Sequence, residues 1–315
     1  MTGFVIARTL QAIVVLILVT LVVFFLQHLL PGSEARAILG LHASNAQVQA
    51  FNRANGLNQP VIVQYLNYIW RLLHGNLGFS YKLNESVAAL LANDIPNDMV
   101  IVIPAVVLSL AIAVPVAMYQ AVRRNRLFDH AATGVAFVLY AMPSFWLGLL
   151  LVGWLSVSLR WLPSQAPQAS SVGGVLAHPA GLVLPILTLA LANVALFSRY
   201  MRSAVIDTLA QDYIVTAKAK GAGMGALLLR HVLRNSLSSV ITLLGLTLPA
   251  IFTAGLIVEQ IFNLNGTGLA FFTAVSSQDY PVELGILLLI GTATVVGNAL
   301  ADIGYAVLDP RVRQK

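Results

Sequence analysis

Six long runs of apolar residues are the feature that most restricts how this chain can fold. They cover residues 9–30, 99–122, 131–159, 180–198, 237–258 and 284–306. A membrane-crossing α-helix needs roughly 17–25 mostly apolar residues, and each run is long enough. Barrel strands alternate apolar and polar residues over about 10 positions, so these runs do not fit a barrel. Because backbone N–H and C=O groups in lipid must pair within their own segment, the runs predict an all-α membrane protein with six transmembrane helices.

The low content of charged residues excludes a water-soluble fold. Charged residues make up 10% of the chain and hydrophobic residues 58%, whereas soluble domains carry about 25% charged residues. The chain has no cysteine, which excludes a disulfide scaffold, a cysteine-ligated metal site and a thiol nucleophile. Prolines inside the runs, such as Pro104, Pro115, Pro143 and Pro185, predict kinks at those positions.

The distribution of basic residues predicts the orientation in the membrane. If there are six spans, 13 of the 18 Lys and Arg residues lie on the side of the termini, and the two short loops on the other side hold only Arg160. Cytoplasmic loops carry such an excess of Lys and Arg, so both termini are predicted to be cytoplasmic. The first run could also be a signal peptide cleaved near residues 35–37. Its apolar region is longer than the usual 7–15 residues, and five more runs follow it.

The runs divide the chain into three predicted parts. Residues 1–98 hold the first transmembrane helix and an extracytoplasmic cap loop, which is either a cap resting on the membrane interface or a docking surface for an external partner. Residues 99–306 form a five-helix transmembrane core that includes a cytoplasmic segment, 199–236. Residues 307–315 form a cytoplasmic tail.

The cytoplasmic segment 199–236 has the pattern of two short helices separated at Gly221. Glycine permits a left-handed turn there that other residues resist. If the first helix reaches Gly221, Ala217 and Gly221 share one helix face that has almost no side chain. Such a face suits the docking of another protein. A lipid-binding basic stretch is the alternative, although it would favour large apolar residues on one face.

Residues 212–221 (DYIVTAKAKG) resemble the EAA loop of ABC-importer permeases, in the form found in peptide permeases. The similarity to the dipeptide/oligopeptide/nickel permease family extends over nearly the whole chain. Departures from the family pattern include Asn76 in place of Asp, Asn265 in place of Pro, and Val215 at the Glu position of the EAA loop. The other matching segments are 29–32 (LLPG), 56–60 (GLNQP), 75–80 (GNLGFS), 143–148 (PSFWLG), 230–235 (RHVLRN), 259–262 (EQIF), 266–268 (GTG), 279–281 (DYP), 302–305 (DIGY) and 308–311 (LDPR).

This resemblance implies a type I ABC-importer permease in the bacterial cytoplasmic membrane. Such a subunit pairs with a homologous second permease subunit, two ABC ATPase subunits and an extracytoplasmic substrate-binding protein. It carries di- and oligopeptides by alternating access, or alternatively nickel complexes, glutathione or another small solute. ATP and Mg would be bound by the partner subunits, so the chain would be neither an enzyme nor a cofactor carrier. In agreement, the sequence contains no G-x-x-x-x-G-K-S/T phosphate loop.

Two other classes of protein fit the sequence less well. A secondary transporter would place ionisable residues in mid-bilayer, whereas Glu259 and Asp302 lie at the ends of apolar runs. An intramembrane hydrolase needs a nucleophile beside a base, but all six histidines lie in loops or at the ends of runs.

Two sets of candidate site residues follow from the sequence, and neither includes a catalytic or metal-binding residue. Asn193, Glu259 and Phe262 are candidates for the translocation path or its gate. Glu259 could instead be a capping or snorkelling carboxylate at the interface, and Asn193 could bond a neighbouring helix. The contact with the ATPase subunit is assigned to Asp212, Tyr213, Thr216, Ala217, Lys218, Ala219, Lys220 and Gly221.

Overall fold

The computed structural model describes residues 2–29, 34–40, 42–169 and 171–308, and these are mostly helical. Two π-helical segments, Val152–Ser158 and Leu228–Val232, continue α7 and α11, and the short strands β1 (Phe79–Ser80) and β2 (Glu85–Ser86) pair antiparallel. The helices in the described residues are α1 (Thr2–Leu29), α2 (Glu34–Leu39), α3 (Asn45–Ala54), α4 (Val61–Leu73), α5 (Val87–Val122), α6 (Leu127–Ala141), α7 (Ser144–Leu151), α8 (Val172–Leu176), α9 (Ala180–Leu209), α10 (Asp212–Ala219), α11 (Met224–Leu227), α12 (Leu233–Phe262), α13 (Thr267–Ser277) and α14 (Tyr280–Leu308).

Four helices within the described residues, α1, α5, α9 and α14, are long and apolar enough to cross a membrane. They coincide with the first, second, fourth and sixth predicted runs. The fifth run lies in the continuous helix α12, but its side chains from 246 to 254 lie outside the described residues. The motif at 30–32 and the tail from residue 309 onwards also lie outside them. The count of six spans therefore stays a prediction.

The third predicted run is broken sharply rather than gently kinked. Helix α6 and the following helix, Ser144–Ser158, are bent by 105° at Met142 and Pro143. Met142 is extended, with φ −82° and ψ 124°, and Pro143 caps the next helix. A residue before proline is steered away from the helical region, which explains the break. Helices α5 and α9, in contrast, continue through Pro104, Pro115 and Pro185.

Contacts divide the chain into two compact units. The first, which we call the outer unit, comprises Met1–Asp98 and Asn265–Val295, and the second, the core unit, comprises Met99–Leu264 and Val296–Lys315. The predicted division by membrane side is a different partition and stays a prediction. In the outer unit, Phe24, Tyr68 and Leu284 form a buried cluster, and a larger cluster gathers around Val87 and Ile286.

The core unit is built on small residues spaced four apart along α5. Ala105, Ser109, Ala113, Ala117 and Ala121 are all buried. Small side chains at this spacing let neighbouring helices approach closely, as is typical of membrane bundles. Large apolar residues of the same helix lie on both sides, since Ile101 is buried whereas Val107 is 61% exposed. The exposed apolar side of the helix suits a lipid environment.

Candidate coupling segment and gate

The segment 199–236 contains the predicted reversal at Gly221, but the prediction of two short helices is wrong. Only α10 is a separate short helix, because α9 extends to Leu209 and α11 continues through Leu228–Val232 into α12. Helix α10 ends at Ala219, and Gly221 has φ +85°. The amide of Gly221 donates to the Lys218 carbonyl at 3.0 Å, and that of Ala222 donates to the Ala217 carbonyl at 3.2 Å. This pair of hydrogen bonds is a Schellman motif, which closes a helix with a left-handed glycine. The predicted left-handed turn at Gly221 is confirmed.

One face of α10 anchors the segment to the core unit. Ile214 is only 3% exposed and belongs to a buried cluster with Met201, Leu227 and Val232. Ala217 is half-buried and packs against the same cluster. Because α10 ends before Gly221, the expected free face shared by Ala217 and Gly221 is wrong. Ala217 instead packs against the core unit on the inner side of α10.

The remaining predicted coupling residues lie on the exposed side of the segment. Val215, between them, is 60% exposed and adds an apolar side chain to this surface. We call this set the exposed edge of α10. Its predicted members are Asp212, Tyr213, Thr216, Lys218, Ala219, Lys220 and Gly221.

One side-chain contact joins α10 to α12, and a second joins α9 to α12. The Asn235 amide donates to the Tyr213 hydroxyl. The hydroxyls of Thr208 and Ser236 are 3.2 Å apart and buried. The Tyr213 contact and the buried Ile214 hold α10 against the core unit, and the contact of Thr208 with Ser236 joins α9 to α12. Sequence reasoning missed these contacts, because partners 22 and 28 residues apart leave no local pattern.

A paired charge lies at the junction of α6 and α9. The Arg202 Nε and Nη2 atoms donate to the two carboxylate oxygens of Asp129, each at 2.7 Å. The amide of Asn125 donates to the same carboxylate at 2.9 Å. The Asp129 side chain is 3% exposed, and that of Arg202 is 28% exposed. A two-pronged arginine–carboxylate pair is among the strongest polar contacts in proteins. In the sequence, this pair is indicated only by a single acidic residue, Asp129, close to the basic residues 123–126.

The three candidate gate residues do not form one exposed site in this structure. Glu259 is 2% exposed and Phe262 is fully buried, one turn apart on α12. Glu259 is therefore not a carboxylate that snorkels to water. The Asn193 amide donates to the Leu189 carbonyl of its own helix at 2.8 Å, which does not match the expected bond to a neighbouring helix.

Phe262 belongs to the packing core. Its ring would lie 3.5 Å from a Cβ atom added to Gly148. The absence of a side chain at Gly148 therefore leaves space for the ring. The Phe262 carbonyl accepts a hydrogen bond from Ala166 at 2.8 Å. Among the described residues, no group of three or more His, Cys, Asp or Glu side chains could hold a metal ion.

Comparison with known proteins identifies the family. Two family models match the chain. The family model for the N-terminal part of binding-protein-dependent transport system membrane components matches residues 1–102. The family model for the inner membrane component of the same systems matches residues 113–314. The chain is 35% identical over 314 residues to the oligopeptide transport system permease protein AppB of Bacillus subtilis, covering 99% of both chains. It is 35% identical to a putative peptide permease of Brucella suis, with 97% of each chain covered. It is 30% identical to the dipeptide transport system permease protein DppB of Escherichia coli over the full length of both. The chain therefore belongs to the binding-protein-dependent transport system inner membrane components, a family of multi-pass ABC-transporter permeases, as its EAA-like segment predicted.

Proposed function

We propose that this permease carries short peptides into the cell and forms half of the translocation path. The observation that carries the proposal is full-length similarity to relatives named as oligopeptide and dipeptide permeases. Nickel complexes, glutathione or another small solute are the alternative cargo. The chain would lie in a bacterial cytoplasmic membrane with six spans and both termini in the cytoplasm, an orientation supported by 13 of its 18 basic residues.

Its partners would be a homologous second permease, an extracytoplasmic substrate-binding protein and two ABC ATPases, which bind ATP and Mg. The exposed edge of α10 would contact one ATPase. Closure of the ATPase pair would then move α10, and Ile214, Tyr213 and Thr208 would pass that movement to α9 and α12. This is alternating access by the rocking of rigid elements.

Glu259, Phe262 and Asn193 would act at the gate. Glu259 and Phe262 are buried in this structure, so their proposed contact with cargo requires α12 to turn or shift during transport. An ionised group on a moving helix at the end of a span could then meet the amino group of a peptide.

Reconstitution tests the proposal. The permease, its partner permease, both ATPases and the binding protein would be placed in proteoliposomes, and peptide accumulation and ATP hydrolysis would be measured together. We expect peptide to stimulate both. Accumulation driven by a proton or sodium gradient without ATP would instead indicate a secondary transporter. Stimulation by a nickel complex or glutathione, but not by peptides, would overturn the peptide assignment.

A further inference from the structure

A cavity of about 570 Å³ lies within the outer unit. Helices α1, α4 and α14 line it, together with the loop after α3 and the loop before β1. Sites for small ligands in proteins usually measure about 300–1,000 Å³. The cavity is therefore large enough for a short peptide, and it is concave, whereas surfaces that dock whole proteins are broad and bury about 800 Å² per partner.

Among the residues that the structure describes, Arg71 on α4 is the one Arg or Lys side chain lining the cavity, and no Asp or Glu lines it. Arg71 is exposed. Within the residues that the structure describes, its guanidinium has neither a hydrogen bond nor an ion pair. A guanidinium presents a planar fork of N–H donors that matches both oxygens of a carboxylate. The cavity thus has one strong anchor, and that anchor selects a carboxylate.

Two asparagine side chains in the lining can form hydrogen bonds with the N–H and C=O groups of a peptide. The Asn76 carbonyl accepts the Gly78 amide at 2.9 Å, which leaves the Asn76 NH₂ group to donate. The Asn67 NH₂ group donates to Gln59 at 3.1 Å, which leaves the Asn67 carbonyl to accept. An asparagine side chain offers both a donor and an acceptor. One free donor and one free acceptor can pair with the C=O and N–H groups of a peptide backbone.

Aromatic rings complete the lining. Trp70 is 65% exposed and Tyr81 is 47% exposed, so both have free surface for a ligand. Tyr68 is buried, and burial raises the pKa of its hydroxyl to about 12, so the ring stays uncharged beside Arg71. Rings of this kind pack against side chains of many shapes. The walls therefore tolerate varied side chains, while Arg71 recognises a feature that all free peptides share.

We propose that this cavity is a subsite for short peptides with a free C-terminus, whose carboxylate is held by Arg71. The inference rests on the proposed peptide-import function and adds a recognition step in the outer unit. The subsite selects for the terminal carboxylate rather than for sequence.

The test compares one tripeptide with the same tripeptide amidated at its C-terminus. Binding of each, in tritiated form, would be measured on the assembled importer in nanodiscs without its binding protein. We expect wild type to bind the free acid about tenfold more tightly, because hydrogen bonds to a charged group contribute about that factor. Arg71→Gln should bind both forms equally, whereas Arg71→Lys should keep part of the preference.

Arg53→Gln is the matched control. Arg53 is an exposed arginine of the same unit, on α3, and it does not line the cavity. Its loss removes the same charge and should leave the tenfold preference intact. Equal binding of both peptides by wild type, or an unchanged preference in Arg71→Gln, would overturn the subsite. So would an Arg71→Gln defect confined to docking of the binding protein. Failure of the wild-type importer to accumulate any peptide would instead refute the proposed function.

Discussion

At the scale of single residues, Arg199 and Arg202 make different contacts, although both follow the fourth apolar run on α9. Arg202 neutralises the buried Asp129 carboxylate through two hydrogen bonds. Arg199 is exposed and lies over the Tyr140 ring, with its Cζ atom 4.9 Å from the ring centre. A cation–π contact at an exposed site contributes about 0.5–1 kcal/mol, whereas removing one partner of a buried pair costs about 3–5 kcal/mol.

We expect Arg202→Ala to lower the free energy of unfolding by about 3 kcal/mol, because it leaves the Asp129 charge buried without a partner. Arg199→Ala, the control, should lower it by about 1 kcal/mol or less. Thermal unfolding in detergent would measure both. The double variant Asp129→Asn with Arg202→Gln should recover part of the loss, since no buried charge remains. Equal losses for Arg199→Ala and Arg202→Ala would contradict the assignment.

At the scale of elements, the turn after α10 depends on backbone conformation and not on space. A Cβ atom added to Gly221 would meet no other atom within 4 Å, but its φ of +85° disfavours any other residue. Gly223, two residues on, is equally open and has φ −64°. The two glycines are equally open but differ in backbone conformation, so Gly223 serves as the control for Gly221.

Gly221→Val should strain the turn by about 1–3 kcal/mol and misplace the exposed edge of α10. We expect peptide uptake and peptide-stimulated ATP hydrolysis to fall together, with normal amounts of permease in the membrane. Gly223→Val should retain both activities. Both would be assayed in the same proteoliposomes. If Gly221→Val kept full activity, the turn would not position the coupling contact, and the segment 230–234 would become the candidate.

The packing of α14 against the start of α5 depends on a second glycine. A Cβ atom on Gly285 would lie 2.4 Å from the Val87 Cγ1 atom, whereas one on Gly291 would only reach ordinary contact, 3.5 Å from Leu16. We expect Gly285→Ala to lower stability by about 1–3 kcal/mol, the usual cost of overpacking, and Gly291→Ala to be nearly neutral. Adding Val87→Ala to Gly285→Ala should restore part of the stability because it removes the clashing methyl group. Thermal unfolding would measure all three, and an absence of rescue would contradict this packing.

At the scale of the whole molecule, the arrangement across the membrane can be tested directly because the chain has no cysteine. Asn67→Cys should react with a membrane-impermeant thiol reagent added to intact spheroplasts. Lys218→Cys, on the exposed edge of α10, should react only after permeabilisation. The physical reason is the excess of Lys and Arg on the side of the termini. The reverse pattern would show the opposite orientation.

Sequence alone predicted what depends on local pattern. Apolar length located α1, α5, α9 and α14, and glycine chemistry located the turn at Gly221. It did not predict what depends on distant partners. The inward position of Ala217 follows from a cluster that includes Met201 and Leu227, and the Arg202 pair joins residues 73 apart. Likewise, Arg71 gives no sign in the sequence that it lines a cavity.

Because the third apolar run is sharply bent at Met142 and Pro143, it could either cross the membrane once or turn back within it. The number of membrane crossings is even in the first case and odd in the second. Arg123, Arg124 and Arg126 precede this run, and six Lys and Arg residues lie in the segment 199–234, after the fourth apolar run. If both arms of the bend together form one crossing, two crossings separate these basic groups, and both face the cytoplasm. If the chain turned back at the bend, a single crossing would put them on opposite sides, against the charge rule. We therefore expect charge, and not the shape of the bend, to set the number of crossings, so Pro143→Ala should leave the labelling of Lys218→Cys unchanged even where it straightens the helix.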